Sequence, residues 1–196
     1  MNKTPLFSAL MPTRGRPNGI RKTIKSLNAH VADPESMEII LRVDDDDEET
    51  KSMLSELDGK IKYHIGSRYL GYDSMGAFVS EISDLSKAPW VFLIDDDAIV
   101  NGDAKIDVEL GKLTQGNGNV CVCEYYKLNQ SVYRGALPVG MFVPTNAWKQ
   151  FGYEVCISPV DQFWTQLFVK DNKWKLNLLA GLTYEHDWKG MAHHFE

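Results

Sequence analysis

The chain has 196 residues, with 27 acidic and 21 basic side chains and a net charge of −6. Its 43% hydrophobic and 11% aromatic content excludes a disordered chain, and at this length it can bury roughly 70% of its unfolded surface. The longest apolar runs fall far short of the ~20 residues a membrane helix needs, and no basic tract announces nucleic-acid binding.

Met1 to Met11 carries one lysine and a short apolar stretch before Pro12-Thr13-Arg14, which makes a poor signal peptide and a good first strand. The expected setting is therefore the cytoplasm. The first strand is read over Leu6–Met11. Pro17 then opens a helix at a position where proline is tolerated, with Ile20, Ile24, Leu27 and Val31 at helical spacing. Glu38–Val43 is the second strand and ends in Asp44. Asp45–Glu49 starts a short helix, where the macrodipole favours carboxylates. Lys60–Ile65 is the third strand. Gly71-Tyr72-Asp73-Ser74 turns into a helix that buries Met75, Phe78 or Val79, Ile82 and Leu85, and Trp90–Ile94 is the fourth strand. This alternation predicts an α/β fold, a mainly parallel, Rossmann-like nucleotide-binding sheet flanked by helices, in a single domain over 1–196.

The second half is less regular. Asn119–Tyr126 and Val139–Val143 read as strands, Val160–Val169 as a helix with Phe163, Leu167 and Trp164 inward, and Trp174–Tyr184 as a final extended stretch. Three cysteines are an odd count, which argues against a disulfide framework. Cys121 and Cys123 share one face of a strand and read as core residues, since no second Cys or His pair stands nearby at ligand spacing.

The acid is concentrated. Asp44 to Glu49 and Asp95 to Asp97 hold nine of the acidic residues, and the rest of the surface is near neutral. Trp90-Val91-Phe92-Leu93-Ile94 runs straight into Asp95-Asp96-Asp97. Such an apolar run is a strand buried on both faces, and adjacent carboxylates at its end repel one another unless a cation or water screens them. In a parallel sheet three strand ends lie side by side: Pro12-Thr13-Arg14-Gly15-Arg16-Pro17, then Asp44, then Asp95–Asp97. A turn with one glycine and two arginines can approach a base or phosphate closely. Asp44 can accept from a ribose hydroxyl or a base N–H. The carboxylate cluster can hold a divalent cation that neutralises a pyrophosphate.

These residues resemble a GT-A glycosyltransferase, and in pattern the inverting family 2 enzymes. Tyr69 to Phe78 resembles the loop and helix that precede the family's Asp-x-Asp strand. Phe151-Gly152-Tyr153 followed by Val160-Asp161-Gln162-Phe163-Trp164 resembles its second-half segment, and Glu185-His186 resembles the family's late histidine. The resemblance implies transfer of a sugar from a nucleoside-diphosphate sugar, a UDP-sugar favoured, to an acceptor hydroxyl, with Mn²⁺ or Mg²⁺ and with inversion. It places donor binding at Thr13, Arg14, Gly15, Asp44, Arg68, Asp95 and Asp96. It places the metal at Asp95, Asp97 and His186, with His193 or His194 as substitutes for the last. Asp161 becomes the base, at a helix start where a carboxylate also serves as a cap. Residues 1–100 form the nucleotide-sugar half and 101–196 the acceptor half. A saccharide is the favoured acceptor, a modified DNA base or a protein the alternatives.

The sequence departs from the family where Val160 stands before Asp161 in place of a Glu-Asp pair, and where Gln162-Phe163-Trp164 echoes only part of a Gln-x-x-Arg-Trp element. Two other readings share the carboxylate edge: a nucleotidyltransferase and a non-catalytic nucleotide-sugar-binding module. The first usually carries a Gly-rich loop with a lysine after strand one, where Thr13 to Pro17 has a single glycine. A haloacid dehalogenase-like phosphatase places its nucleophile after the first strand, which this chain does not.

Overall fold

The computed structural model describes residues 3–57, 59, 61–69, 74–113, 119–126, 132–133, 140–151, 166–171 and 173–186. The chain alternates β1 (Phe7–Thr13), α1 (Pro17–Ala29), β2 (Met37–Asp44), α2 (Glu48–Leu54), β3 (Ile61–Gly66), α3 (Met75–Ser83) and β4 (Trp90–Leu93). It continues with β5 (Ala98–Gly102), α4 (Ile106–Gly111), β6 (Asn119–Tyr126), β7 (Val132–Tyr133), β8 (Met141–Pro144), α5 (Thr145–Phe151), a π-helical turn at Gln166–Asp171 and β9 (Lys175–His186).

The strands form one sheet in the order β3-β2-β1-β4-β8-β6-β9-β5, with β7 beside β6. β3, β2, β1 and β4 are parallel, as the βαβ alternation requires. From β8 onward the sheet is mixed. β8 runs antiparallel to β4 and β6, β9 is parallel to β6, and β5 is antiparallel to β9. The mainly parallel expectation thus holds for the first half and gives way to mixed pairing in the second.

β1 and β2 are almost wholly buried, as strands covered on both faces must be. Side chains alternate between two cores. On one face Phe7, Ala9 and Met11 of β1 meet Ile20 and Leu27 of α1, Met53 and Leu54 of α2, and Ile106 and Leu110 of α4. On the other, Leu10 and Ile40 meet Val79 and Ile82 of α3, Trp148 of α5 and Phe168 of the π turn. Phe92 of β4 stacks on Phe142 of β8, ring centres 3.9 Å apart, and welds the parallel half to the mixed half.

Several boundaries differ from the sequence reading. α2 begins at Glu48, with Asp47 as its cap accepting from the Thr50 amide at 3.1 Å. Leu85 is 40% exposed, because α3 ends at Ser83 and the chain has left the helical face by then. Val31 is buried beyond the end of α1. The helix expected over Val160–Val169 is described only from Gln166, where it is a π turn that buries Phe168 and half-buries Leu167. Phe163 and Trp164 lie outside the described residues. The short elements β5, α4 and α5 have no counterpart in the sequence reading. Cys121 and Cys123 are buried, as expected, and burial pushes both thiols up to about 12. Among the described residues no helix is long and apolar enough to cross a membrane.

Candidate active site

The carboxyl ends of β1, β2 and β4 meet at one edge. β1 delivers Thr13 to Arg16, β2 delivers Asp44, and the turn between β4 and β5 holds Asp95, Asp96 and Asp97. These residues are knitted together by direct contacts. Thr13 Oγ1 donates to Asp96 Oδ2 at 2.7 Å. Arg16 Nη1 donates to Asp96 Oδ1 at 3.1 Å and to Asp97 Oδ2 at 2.9 Å. The repulsion expected among three adjacent carboxylates is therefore screened in part by a guanidinium from the β1 loop.

The middle carboxylate is the buried one. Asp96 is 4% exposed, while Asp95 and Asp97 are half-buried. Burial is the main influence on Asp96 and raises its pKa to about 6, against the opposing pull of Arg16 and the Thr13 hydroxyl. Its side chain braces β1 against the β4 turn. α1 docks on the same turn: Thr23 Oγ1 donates to the carbonyls of Asp96 and Ala98, at 3.1 and 2.8 Å. Gly19 lies so close that a Cβ there would stand 2.7 Å from the Asp96 carbonyl oxygen.

The acidic run after β2 is also engaged. Arg14 Nη1 donates to Asp44 Oδ2 at 2.9 Å, and the same guanidinium grips both oxygens of Asp46. The Gly15 amide donates to Asp47 Oδ2 at 2.7 Å. Arg68 lies 3.5 Å from Asp46. The hydrogen bond from Arg14 holds the Asp46 carboxyl below its usual range. The structure thus sets Arg14 against two carboxylates of the next loop, so the β1 and β2 loops form one charged rim.

Sequence reasoning missed two residues here. Tyr184, fully buried on β9, donates to Asp95 Oδ2 at 3.1 Å and accepts from the Asp95 amide at 3.3 Å. Burial, followed by the charge of Asp95, pushes its phenol well above the usual value. Arg42, buried on β2, donates to Asp44. An arginine inside the run Ile39–Val43, two residues before Asp44, was the available signal for the second. Nothing local marks Tyr184, which reaches Asp95 through tertiary packing alone.

Of the expected metal residues, Asp95 and Asp97 stand at this edge. His186 is opposite Ala98 in the β5–β9 register, across from the residue that follows Asp97. Among the described residues no three His, Cys, Asp or Glu side chains gather closely enough to hold an ion by themselves. Asp161, His193 and His194 lie outside the described residues.

A parallel α/β half that runs into a mixed sheet, with carboxylates at the junction, defines the GT-A fold. The model of the family described as glycosyl transferase family 2 matches residues 8–167, and the chain belongs to that family. A comparison with curated proteins finds no match. Among solved structures the chain is similar to S. aureus TarS 1–349 in complex with UDP, at TM-score 0.68 and 15% identity, covering 91% of this chain and 60% of that one. It is similar to the same TarS fragment with UDP-GlcNAc at TM-score 0.68 and 14% identity, covering 96% and 60%. Against S. aureus TarS itself the TM-score is 0.66 at 15% identity, covering 90% of this chain and 36% of that one. The chain therefore spans about 60% of the TarS fragments it matches.

Proposed function

We propose that this chain transfers a glycosyl group from a nucleoside-diphosphate sugar to an acceptor hydroxyl. The carrying observation is the convergence of the Thr13–Arg16 loop, Asp44 and Asp95–Asp97 on one sheet edge, through contacts of 2.7 to 3.1 Å. Membership of family 2 supports the reaction class, and the TarS structures with UDP and UDP-GlcNAc favour a UDP-sugar. In this reading residues 1–100 hold the donor, with Asp44 accepting from the nucleoside, Arg68 facing the diphosphate, and Thr13 and Gly15 shaping the loop beneath it. Residues 101–196 contribute the acceptor side.

The donor set suits a hard divalent cation. Asp95 and Asp97 offer carboxylate oxygens, Tyr184 holds Asp95 in place, and His186 is the neighbouring register position. Mg²⁺ sites commonly complete their shell with substrate phosphates and water, so one or two protein carboxylates suffice. A bound cation supplies Lewis-acid stabilisation of the departing diphosphate. Arg16, already on Asp97, adds a second positive charge at that point. Asp161 is the proposed base, and such a group contributes about 10²–10⁴-fold. Attack opposite the leaving group gives inversion.

Thermal-shift titration of UDP-, GDP-, CMP- and TDP-sugars, with and without Mn²⁺, tests the reading, followed by hydrolysis of the sugar that stabilises most. Wild type is expected to respond to one nucleotide class, more strongly with Mn²⁺, and Asp97→Asn to lose the Mn²⁺-dependent increment. A wild type silent to all four donors sinks the proposal, and an unaltered Mn²⁺ increment in Asp97→Asn removes Asp97 from the metal site.

A further inference from the structure

Arg42 is a buried cation on the face of β2 that also carries Glu38, Ile40 and Asp44. Ile40 belongs to the core under α3. Arg42 is 1% exposed. Its Nη1 donates to Asp44, its Nε to Glu81 of α3 at 2.9 Å, and its Nη2 to the carbonyl of Ser67 beyond β3. The guanidinium carbon lies 4.2 Å from the centre of the Phe78 ring and 5.9 Å from that of Tyr69. Gly66 leaves the room it needs: a Cβ there would stand 2.9 Å from Glu81 Oε2 and 3.0 Å from Arg42 Nη2.

Three separate pieces of chain are therefore clasped by one planar cation: the end of β2, the turn after β3, and α3, which offers Phe78 and Glu81. Holding β2 to α3 does not demand a buried charge, since apolar residues of similar volume serve as well or better. What the guanidinium adds is direction, because its donors point in fixed directions. One of them is spent on Asp44 and another on the carbonyl next to Arg68. Asp44 and Arg68 are two of the residues assigned above to the donor.

We propose that Arg42 is a positioning residue for the donor nucleotide: it aims the Asp44 carboxylate and sets the Ser67–Tyr69 turn so that both meet one ligand. The inference rests on the nucleotide-binding reading above. It assigns Arg42 no contact with the substrate. Glu81 is the second anchor of the same clasp, and Phe78 is the surface on which the guanidinium lies.

The test is isothermal titration of UDP with Mn²⁺ into wild type, Arg42→Lys and Glu81→Gln, each checked for folding by far-UV circular dichroism. Lysine keeps the charge but cannot reach three partners in fixed directions. Arg42→Lys is expected to weaken UDP binding about tenfold, the scale of one well-placed charge-assisted hydrogen bond. With a sugar donor the loss should fall on KM for the donor more than on kcat. A folded Arg42→Lys with wild-type affinity overturns the inference and leaves the nucleotide-binding reading standing. Should Arg42→Lys not fold, Glu81→Gln decides, since it loosens the clasp without touching Asp44 or Arg68. Weakening of roughly threefold supports the inference, and unchanged affinity overturns it. A wild type that titrates with none of UDP, GDP, CDP and dTDP overturns the reading beneath and the inference with it.

Discussion

Asp96 is held by Thr13 on one side and Arg16 on the other, and burial gives it a different task from its two neighbours. It links the end of β1 to the turn after β4, so the two loops cannot shift independently. Thr13→Val removes the hydroxyl with little change of volume and leaves a buried carboxylate oxygen short of a donor. Such a loss costs about 1–3 kcal/mol, or roughly 2–12 °C in Tm for a chain of this size. Thr13→Ser, which keeps the hydroxyl, is expected to recover most of it. Calorimetry reads the difference, and a Thr13→Val protein with the wild-type Tm sinks the bracing role. In the sequence Asp95, Asp96 and Asp97 are three like residues in a row. Which of them is buried depends on Thr13, 83 positions away, and no local pattern carries that pairing.

At the scale of elements, the edge opposite the candidate site has its own clamp. Glu38, near the start of β2, accepts from Ser8 Oγ of β1 at 2.5 Å, from Lys62 of β3 and from the Lys87 amide ahead of β4 at 2.8 Å. Burial pushes its carboxyl up, but the hydrogen bond from Lys62, then those from Ser8 and Lys87, outweigh it and hold the carboxyl below its usual value. A carboxylate whose folded pKa is lowered contributes stability in full above its unfolded pKa, and that contribution is lost as pH falls through the folded one. Urea unfolding should therefore find wild type more stable than Glu38→Gln by a constant margin above about pH 5, shrinking as pH drops below about 4.5. A margin that stays constant down to pH 3 removes Glu38 as the cause. Because the clamp is remote from Asp44 and Asp95–Asp97, donor binding at neutral pH is expected to survive in the folded variant. The elements this clamp joins were legible in the sequence, since β1, β2 and β4 are dominated by apolar residues and β3 alternates Ile61, Tyr63 and Ile65 with Lys62 and His64. β5, α4 and α5 were not. They are five, six and seven residues long, too short for a periodicity to rise above chance, and tertiary packing rather than intrinsic propensity holds them. The pairing of β8 between β4 and β6 was equally hidden, because strand order in a mixed sheet is set by contacts distant in sequence.

For the whole molecule the question is whether residues 1–100, proposed to hold the donor, and residues 101–196, proposed to contribute the acceptor side, are separate bodies. Both cores argue that they are not. The core beneath α1 and α2 takes Phe142, Leu179, Leu182 and Tyr184 from the second half, and the core beneath α3 takes Met141, Val143, Trp148 and Phe168. The sheet itself crosses the divide at β4–β8, where Trp90, Val91, Phe92 and Leu93 face Pro144, Val143, Phe142 and Met141. Neither half can leave without exposing buried aromatic surface, at roughly 25 cal/mol for each Å² of apolar area. Thermal and urea unfolding are therefore expected to be single transitions, with far-UV circular dichroism and tryptophan fluorescence superimposing. Both halves contribute a buried indole to the fluorescence, Trp90 from β4 and Trp148 from α5. Two separated transitions, or a fluorescence midpoint displaced from the dichroism midpoint, would show that 1–100 and 101–196 unfold independently. Superposition would mean that the Asp95–Asp97 turn, built at the junction, is shaped by both halves at once, with Tyr184 of β9 as the contact through which the second half reaches it.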